Sequence, residues 1–280
     1  MRPKIHDILT DLRKHLANDR WGLEKLEKLV AAHDQVLREG QIWPHVQAYN
    51  AAIASVLGHS CAAPTYFLHS SWSFDHPTGE LHNQNLAEVF VAFELGLINQ
   101  IRDNNVEGDI VEFGIYQGSM LGKLLDHAEA IGLQRQFYGF DSFEGLSEPS
   151  PENDYDSWKK GQYAAGYDLV ARNLRLSERP HLKLIPGWVE ESLKSPEAQA
   201  IASVAYARID VDIYDPTVDC LNFLTGRLAD RSVLVFDDWA YTAEKGESRA
   251  FFEWQSRTPQ YRFEWLGQCS SRFYLRVHHR

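Results

Sequence analysis

From residue 1 to about 105, apolar residues recur at the three- and four-residue spacing of amphipathic helices. Ile5, Ile8, Leu9, Leu12 and Leu16 form one stripe. Leu23, Leu26, Leu29, Val30 and Leu37 form a second, which stops at Gly40. A third helix is expected over 44–57, then a loop over 58–77 that carries Pro, Ser and His. Leu86, Val89, Phe90, Phe93, Leu97 and Ile101 predict a long helix running into Glu107-Gly108-Asp109.

Beyond Asp109 the pattern changes to short apolar runs separated by helical stretches. The runs predict strands at 110–113, 137–140, 182–185, 204–209 and 232–236. Between them, Met120, Leu121, Leu124, Leu125, Ala128 and Ile131 mark a helix with Ser119 as N-cap and Gly132 at its end. Further helices are expected around Leu169, Val170 and Leu174, over 190–193, after Asp215 as N-cap with Pro216 in the first turn, and over 248–255. A polar loop spans 147–166. The segments 261–266 and 272–277, split by Gly267-Gln268-Cys269-Ser270, read as a hairpin. Strands alternating with crossover helices describe an α/β fold with an open, mostly parallel sheet. The chain thus divides into a helical region, 1–105, and a sheet domain, 106–280.

Composition narrows the function classes. A formal net charge of −11 over 280 residues argues against a nucleic-acid partner. No apolar run reaches membrane-span length, and the charged start of the chain lacks a secretory apolar core. Cys61, Cys220 and Cys269 are scattered and odd in number, so reduced thiols in a cytoplasmic protein are expected, each packing as a small hydrophobe. His59, His69, His76 and His82 lack compact metal-ligand spacing and read as surface residues.

The chemistry gathers at the strand ends. Ile110, Val111, Glu112 and Phe113 lead into Gly114-Ile115-Tyr116-Gln117-Gly118-Ser119, a strand, a glycine turn and a helix start. Such a turn suits a polar ligand group. It does not spell G-x-G-x-x-G, and an acid precedes the first glycine. Glu112 there favours the amino-acid end of S-adenosylmethionine (SAM) over NAD. Asp141 ends the second strand, where an acid can accept adenosine ribose hydroxyls. Asp210 and Asp212 follow the fourth strand, and Asp237 and Asp238 the fifth. Four carboxylates on one edge repel unless protonated or bridged by a cation, and oxygen ligands alone favour Mg²⁺. A metal there would activate an alcohol or catechol oxygen for methyl transfer.

With these residues in view, the chain resembles the macrocin O-methyltransferase (TylF/MycF-like) family of sugar O-methyltransferases. The stretches that carry the resemblance are Gly108-Asp109-Ile110-Val111-Glu112-Phe113-Gly114, Asp141-Ser142-Phe143-Glu144-Gly145-Leu146, Ala207-Arg208-Ile209-Asp210-Val211-Asp212-Ile213-Tyr214-Asp215-Pro216-Thr217 and Val235-Phe236-Asp237-Asp238-Trp239. It implies a class I SAM-methyltransferase, Rossmann-like sheet of seven strands, the last antiparallel, behind an N-terminal helical extension. It implies SAM and Mg²⁺ as cofactors, a small-molecule or glycan hydroxyl as acceptor, and a homodimer. By motif match Asp210, Asp237 and Asp238 would hold the metal, and Asp212 would be the candidate base, with Asp210 beside it in catalysis. Glu112, Gly114, Tyr116, Gly118, Ser119, Asp141, Ser142 and Asp210 would contact SAM, with Gly187 and Trp188 flanking the adenine. The family's usual D-G-D reads Asp210-Val211-Asp212 here. A catechol or small phenol acceptor, and a SAM-binding module without turnover, are the competing readings.

Overall fold

Successive residues of a strand point to opposite faces of a sheet, and here both faces are covered. The computed structural model describes residues 79–239, 244–269 and 271–280, with side chains over 91–239, 244–267 and 271–280. The two N-terminal stripes, the 44–57 helix, the 58–77 loop, His59, His69, His76 and Cys61 lie outside the described residues, as do the side chains of His82, Leu86, Val89, Phe90 and Cys269.

Helix α1 (Gly79–Asp103) precedes the first strand. The strands are β1 (Asp109–Phe113), β2 (Phe137–Asp141), β3 (Leu182–Pro186), β4 (Val204–Ile209), β5 (Leu228–Phe236), β6 (Tyr261–Cys269) and β7 (Arg272–His279). They form one seven-stranded sheet in the order β3-β2-β1-β4-β5-β7-β6. β1 to β5 pair in parallel, and β7 pairs antiparallel with both β5 and β6. The seven-stranded architecture expected from the sequence is therefore the one observed. The order reverses at β1, with β2 on one side and β4 on the other, so the switch point falls at the glycine turn.

The crossover helices are α2 (Ser119–Ala130), α3 (Tyr167–Asn173), the short α4 (Val189–Ser192) and α5 (Pro196–Gln199), α6 (Tyr214–Leu224) and α7 (Gly246–Ser256). One core packs Val111, Phe113, Ala207, Ile209, Leu234 and Phe236 against α6 and α7. The other packs Ile110, Tyr206, Val233 and Val235 against α1 and α2. Cys220 is fully buried in the first core, as expected of a small hydrophobe. No described helix is long and apolar enough to cross a membrane.

Two helix starts differ from expectation. Gly118, at φ +79°, occupies the N-cap of α2, and Ser119 is already helical, its Oγ accepting from Lys123 Nζ at 2.6 Å. Helix α6 starts at Tyr214 rather than after Asp215, because Asp154 supplies the cap from the long loop: its Oδ1 accepts from Tyr214 N at 2.7 Å. Gly132, at φ +72°, closes α2 as expected, with Leu133 N donating to Ala128 O at 2.9 Å. Strand β5 begins four residues before the apolar run that announced it. The one-turn α5, capped by Ser195 Oγ on Ala198 N, carries no apolar periodicity to announce it.

Candidate active site

The glycine turn is shaped first by the protein itself. A Cβ on Gly114 would lie 1.8 Å from Asp210 O, so only glycine lets the end of β1 lie this close to the end of β4. A Cβ on Gly118 would meet Leu174 at 2.9 Å. Asp141 then ties the turn down. Its Oδ2 accepts from Ile115 N and Tyr116 N, both at 2.9 Å, and its Oδ1 from Phe143 N at 2.6 Å. Counting two acceptor positions per oxygen, Oδ1 keeps one open. Burial raises the Asp141 pKa in spite of these bonds. Ser142 shapes the next turn, donating to Gly145 O at 2.8 Å.

A cavity of about 560 Å³ opens beyond the carboxyl ends of β1, β2, β4 and β5. Gly114, Tyr116, Asp141, Ser142 and Trp188 line one part of it, and Asp210, Asp212, Asp237 and Asp238 another. Glu112, Gly118, Ser119 and Gly187 are not among its lining residues. Nine of those residues are Asp or Glu, and none of the described ones is Lys, Arg or His. Tyr163, from the 147–166 loop, stands over the acids with its ring 5.9 Å from that of Tyr116. Burial, then the charges of Asp212, Asp238 and Asp210, raise its pKa. A larger hollow of about 850 Å³ lies at the opposite edge of the sheet, among Glu107, Asp109 and Arg135, and contains none of the candidate residues.

Asp210, Asp237 and Asp238 each offer a carboxylate oxygen, all within 4.8 Å of one another. Asp212 reaches the cavity from a tight turn. The chain there is not extended: Asp212 has φ +63°, and Ile213 N donates to Val211 O at 2.7 Å across it. Aspartate tolerates this left-handed conformation better than most residues, whereas Val211, which stands where the family's D-G-D has glycine, is not among the positive-φ residues. Burial, then the charge of Asp210, push the Asp212 pKa up to about 7. Asp238 is raised well above the carboxylate range by burial and by Asp212 and Glu247.

Two residues of this site escaped sequence reasoning. Glu247, fully buried in the first turn of α7, accepts from Asp238 N at 3.0 Å and Val211 N at 3.4 Å, and so joins the two acid-bearing loops. Arg208, the penultimate residue of β4, is 2% exposed. The register sets it beside Glu112 of β1 on one side and Val235 of β5 on the other. Its Nη1 donates to Glu112 Oε1 at 3.0 Å and also to Asp210 Oδ2; its Nη2 donates to Asp237 Oδ1. Its Nε lies 3.4 Å from Oε2 of Glu94, a fully buried residue of α1 that also accepts from the Tyr206 hydroxyl. One guanidinium thus faces four carboxylates. The ion pair therefore does not hold Glu112 in its usual range, and burial pushes that carboxyl up to about 8. A charged residue inside a strand buried on both faces requires a partner, and Glu112 in β1 and Arg208 in β4 break their apolar runs in the same way. That was the signal available in the sequence.

The family model for macrocin-O-methyltransferase (TylF) matches residues 94–258. Two curated proteins are similar. The 8-demethyl-8-(2,3-dimethoxy-alpha-L-rhamnosyl)-tetracenomycin-C 4'-O-methyltransferase of Streptomyces olivaceus is 26% identical over 160 residues, covering 52% of this chain and 58% of the relative. Demethyldecarbamoylnovobiocin O-methyltransferase of Streptomyces niveus is 29% identical over 157 residues, covering 51% and 56%. The match therefore spans a little over half the length of each. Among solved structures, the O-methyltransferase NovP (20% identity, 68% of this chain and 79% of that one) has a TM-score of 0.55. The calicheamicin methyltransferase CalS11 (22% identity, 74% and 88%) has a TM-score of 0.56. At these identities the structures show the shared fold. The family match covers more than half of the sequence and includes the glycine turn, Asp141, the acid triad and Glu247: the chain belongs to the macrocin O-methyltransferase family.

Proposed function

We propose that this protein transfers the methyl group of SAM to a hydroxyl of a sugar, on a natural-product glycoside or another glycan, with a divalent cation held by Asp210, Asp237 and Asp238. The observation that carries this reading is a single cavity joining Asp141, after β2, to the acid triad after β4 and β5. The donor set fits the ion: three carboxylates without nitrogen or sulfur suit a hard cation such as Mg²⁺. The sugar acceptor draws support from the tetracenomycin relative, whose named substrate carries a rhamnosyl group.

The chain's own residues divide the work. Asp141 keeps the glycine turn closed and offers its open Oδ1 position to a ribose hydroxyl. Trp188, on the cavity wall after β3, would flank the adenine. When bound, the divalent ion lowers the pKa of the acceptor hydroxyl. Asp212 lines the cavity without belonging to the triad, and in this reading it takes the proton. The rings of Tyr116 and Tyr163 give an apolar wall for the acceptor, a feature that a phenolic acceptor would share.

Calorimetry is expected to show binding of SAM and S-adenosylhomocysteine (SAH) and none of NAD. Transfer from methyl-labelled SAM to a panel of deoxysugar glycosides and catechols separates the acceptor classes. EDTA should abolish transfer and added Mg²⁺ restore it; a full rate in EDTA overturns the metal assignment. Asp237→Ala should behave like EDTA treatment while retaining SAM affinity. Asp212→Asn should bind metal yet slow transfer by about 10²–10⁴-fold, the usual effect of losing a positioned base.

A further inference from the structure

A carboxylate has two oxygens, and a metal site is well formed only when the correct one faces the ion. The question at the triad is what turns Asp210 and Asp237. Asp210 follows the last residue of β4 and Asp237 the last residue of β5. Both meet the same guanidinium, which engages Asp210 through Oδ2 and Asp237 through Oδ1. Asp237 Oδ1 is met by Arg272 Nε as well, at 2.8 Å, so on both carboxylates the arginine contacts fall on one oxygen. Asp238, the third member, is fixed through its backbone N–H, which donates to Glu247 Oε2.

Arg208 is itself held from behind. Glu94 Oε2 faces its Nε, Glu112 Oε1 accepts from its Nη1, and the Tyr206 and Tyr274 hydroxyls both donate to Glu94. None of Glu94, Glu112, Tyr206 and Arg208 lines the cavity. The arrangement is that of an outer layer around a metal centre, in which buried partners orient the ligands.

We propose that Arg208 is a positioning residue for the cation: its guanidinium fixes the Asp210 and Asp237 carboxylates in the ion-binding orientation, and α1 anchors it through Glu94. This rests on the metal reading above. A planar fork bridging two carboxylates is a task for which lysine is a poor substitute. The opposite role is also conceivable for a cation at this place, namely that it competes with the metal for the same oxygens, and the two roles predict effects of opposite sign.

The test uses Mn²⁺ alone as probe, measured by electron paramagnetic resonance on the full chain, with SAH affinity by calorimetry and thermal unfolding as controls. Arg208→Gln is expected to weaken Mn²⁺ binding by about 10–100-fold, the usual effect of removing an outer partner of a metal ligand, and to leave SAH affinity within about twofold. Should Arg208→Gln not fold, Arg208→Lys carries the test: it keeps the charge, and is expected to weaken Mn²⁺ by about tenfold because one ammonium cannot bridge both carboxylates. Unchanged or tighter Mn²⁺ binding in the folded variants overturns the proposal. So does a parallel loss of SAH affinity, which marks a general structural role. Wild-type protein that binds no Mn²⁺ overturns the metal reading instead, and with it the basis of this one.

Discussion

Glu112 shows how far one residue's chemistry depends on its surroundings. Its carboxylate is 2% exposed, and its Oε2 has no hydrogen-bond partner. Its folded pKa rises from 4.5 to about 8 because burial outweighs a guanidinium shared with three other acids. A raised acid pKa favours the protonated, folded form. The resulting stability is fully present below about pH 4.5 and is lost as the pH rises through about 8. Glu112→Gln keeps the shape and discards the titration. Its denaturation midpoint relative to wild type is therefore expected to climb between pH 5 and pH 9, and a pH-independent difference would refute the assignment. The sequence identified Glu112 as special by its place before Gly114, but the cavity-facing role inferred from that place remains a proposal. Its visible partner is Arg208, and that pairing follows from register, which a single chain does not display.

At the scale of elements, the strands and most helices were legible because each buried run is mainly apolar, as in β4, where all six residues are buried and Arg208 alone is charged. Helix starts were less so. Ile213 has no side chain that can cap α6, and the cap comes from Asp154, 60 residues earlier in the chain. That loop is tied down at more than one point. Asp154 Oδ2 accepts from Ser150 N at 2.8 Å, Asp154 O from Lys245 Nζ at 2.6 Å, and Asn153 Oδ1 from Arg249 Nη1 at 2.7 Å. Gly246 N, at the start of α7, donates to Asn153 O at 2.8 Å. The loop that carries Tyr163 is thus fastened to the first turns of α6 and α7. Asp154→Ala is expected to cost about 1–2 kcal/mol in denaturant unfolding, the usual worth of a helix cap. Hydrogen exchange should accelerate in the first turn of α6 and across 147–166 together; acceleration confined to α6 would show that the tether is not shared.

For the molecule as a whole, the reversal of strand order at β1 brings the ends of β2, β4 and β5 to one rim, and the acids seen as separate motifs in the sequence line one cavity there. The open, mostly parallel sheet was legible from the alternation of strands and helices; the strand order was not. The charge of the cavity was not, because Glu148, Glu190 and Asp215 are exposed and Asp219 half-buried, and only the fold gathers them around one cavity. That lining bears on turnover. SAM carries a sulfonium, and transfer of its methyl leaves a neutral thioether, so the spent cofactor has one positive charge fewer in a strongly negative enclosure. Attraction of the fresh cofactor should be screened by salt, and that of the spent one should not. Titrations at low and high NaCl are expected to show SAM affinity falling steeply and SAH affinity hardly changing; equal slopes would mean that the acids are neutralised before the cofactor arrives. With unequal slopes, each turnover weakens the hold on its own by-product, and product release draws on the same carboxylates that recruit the donor.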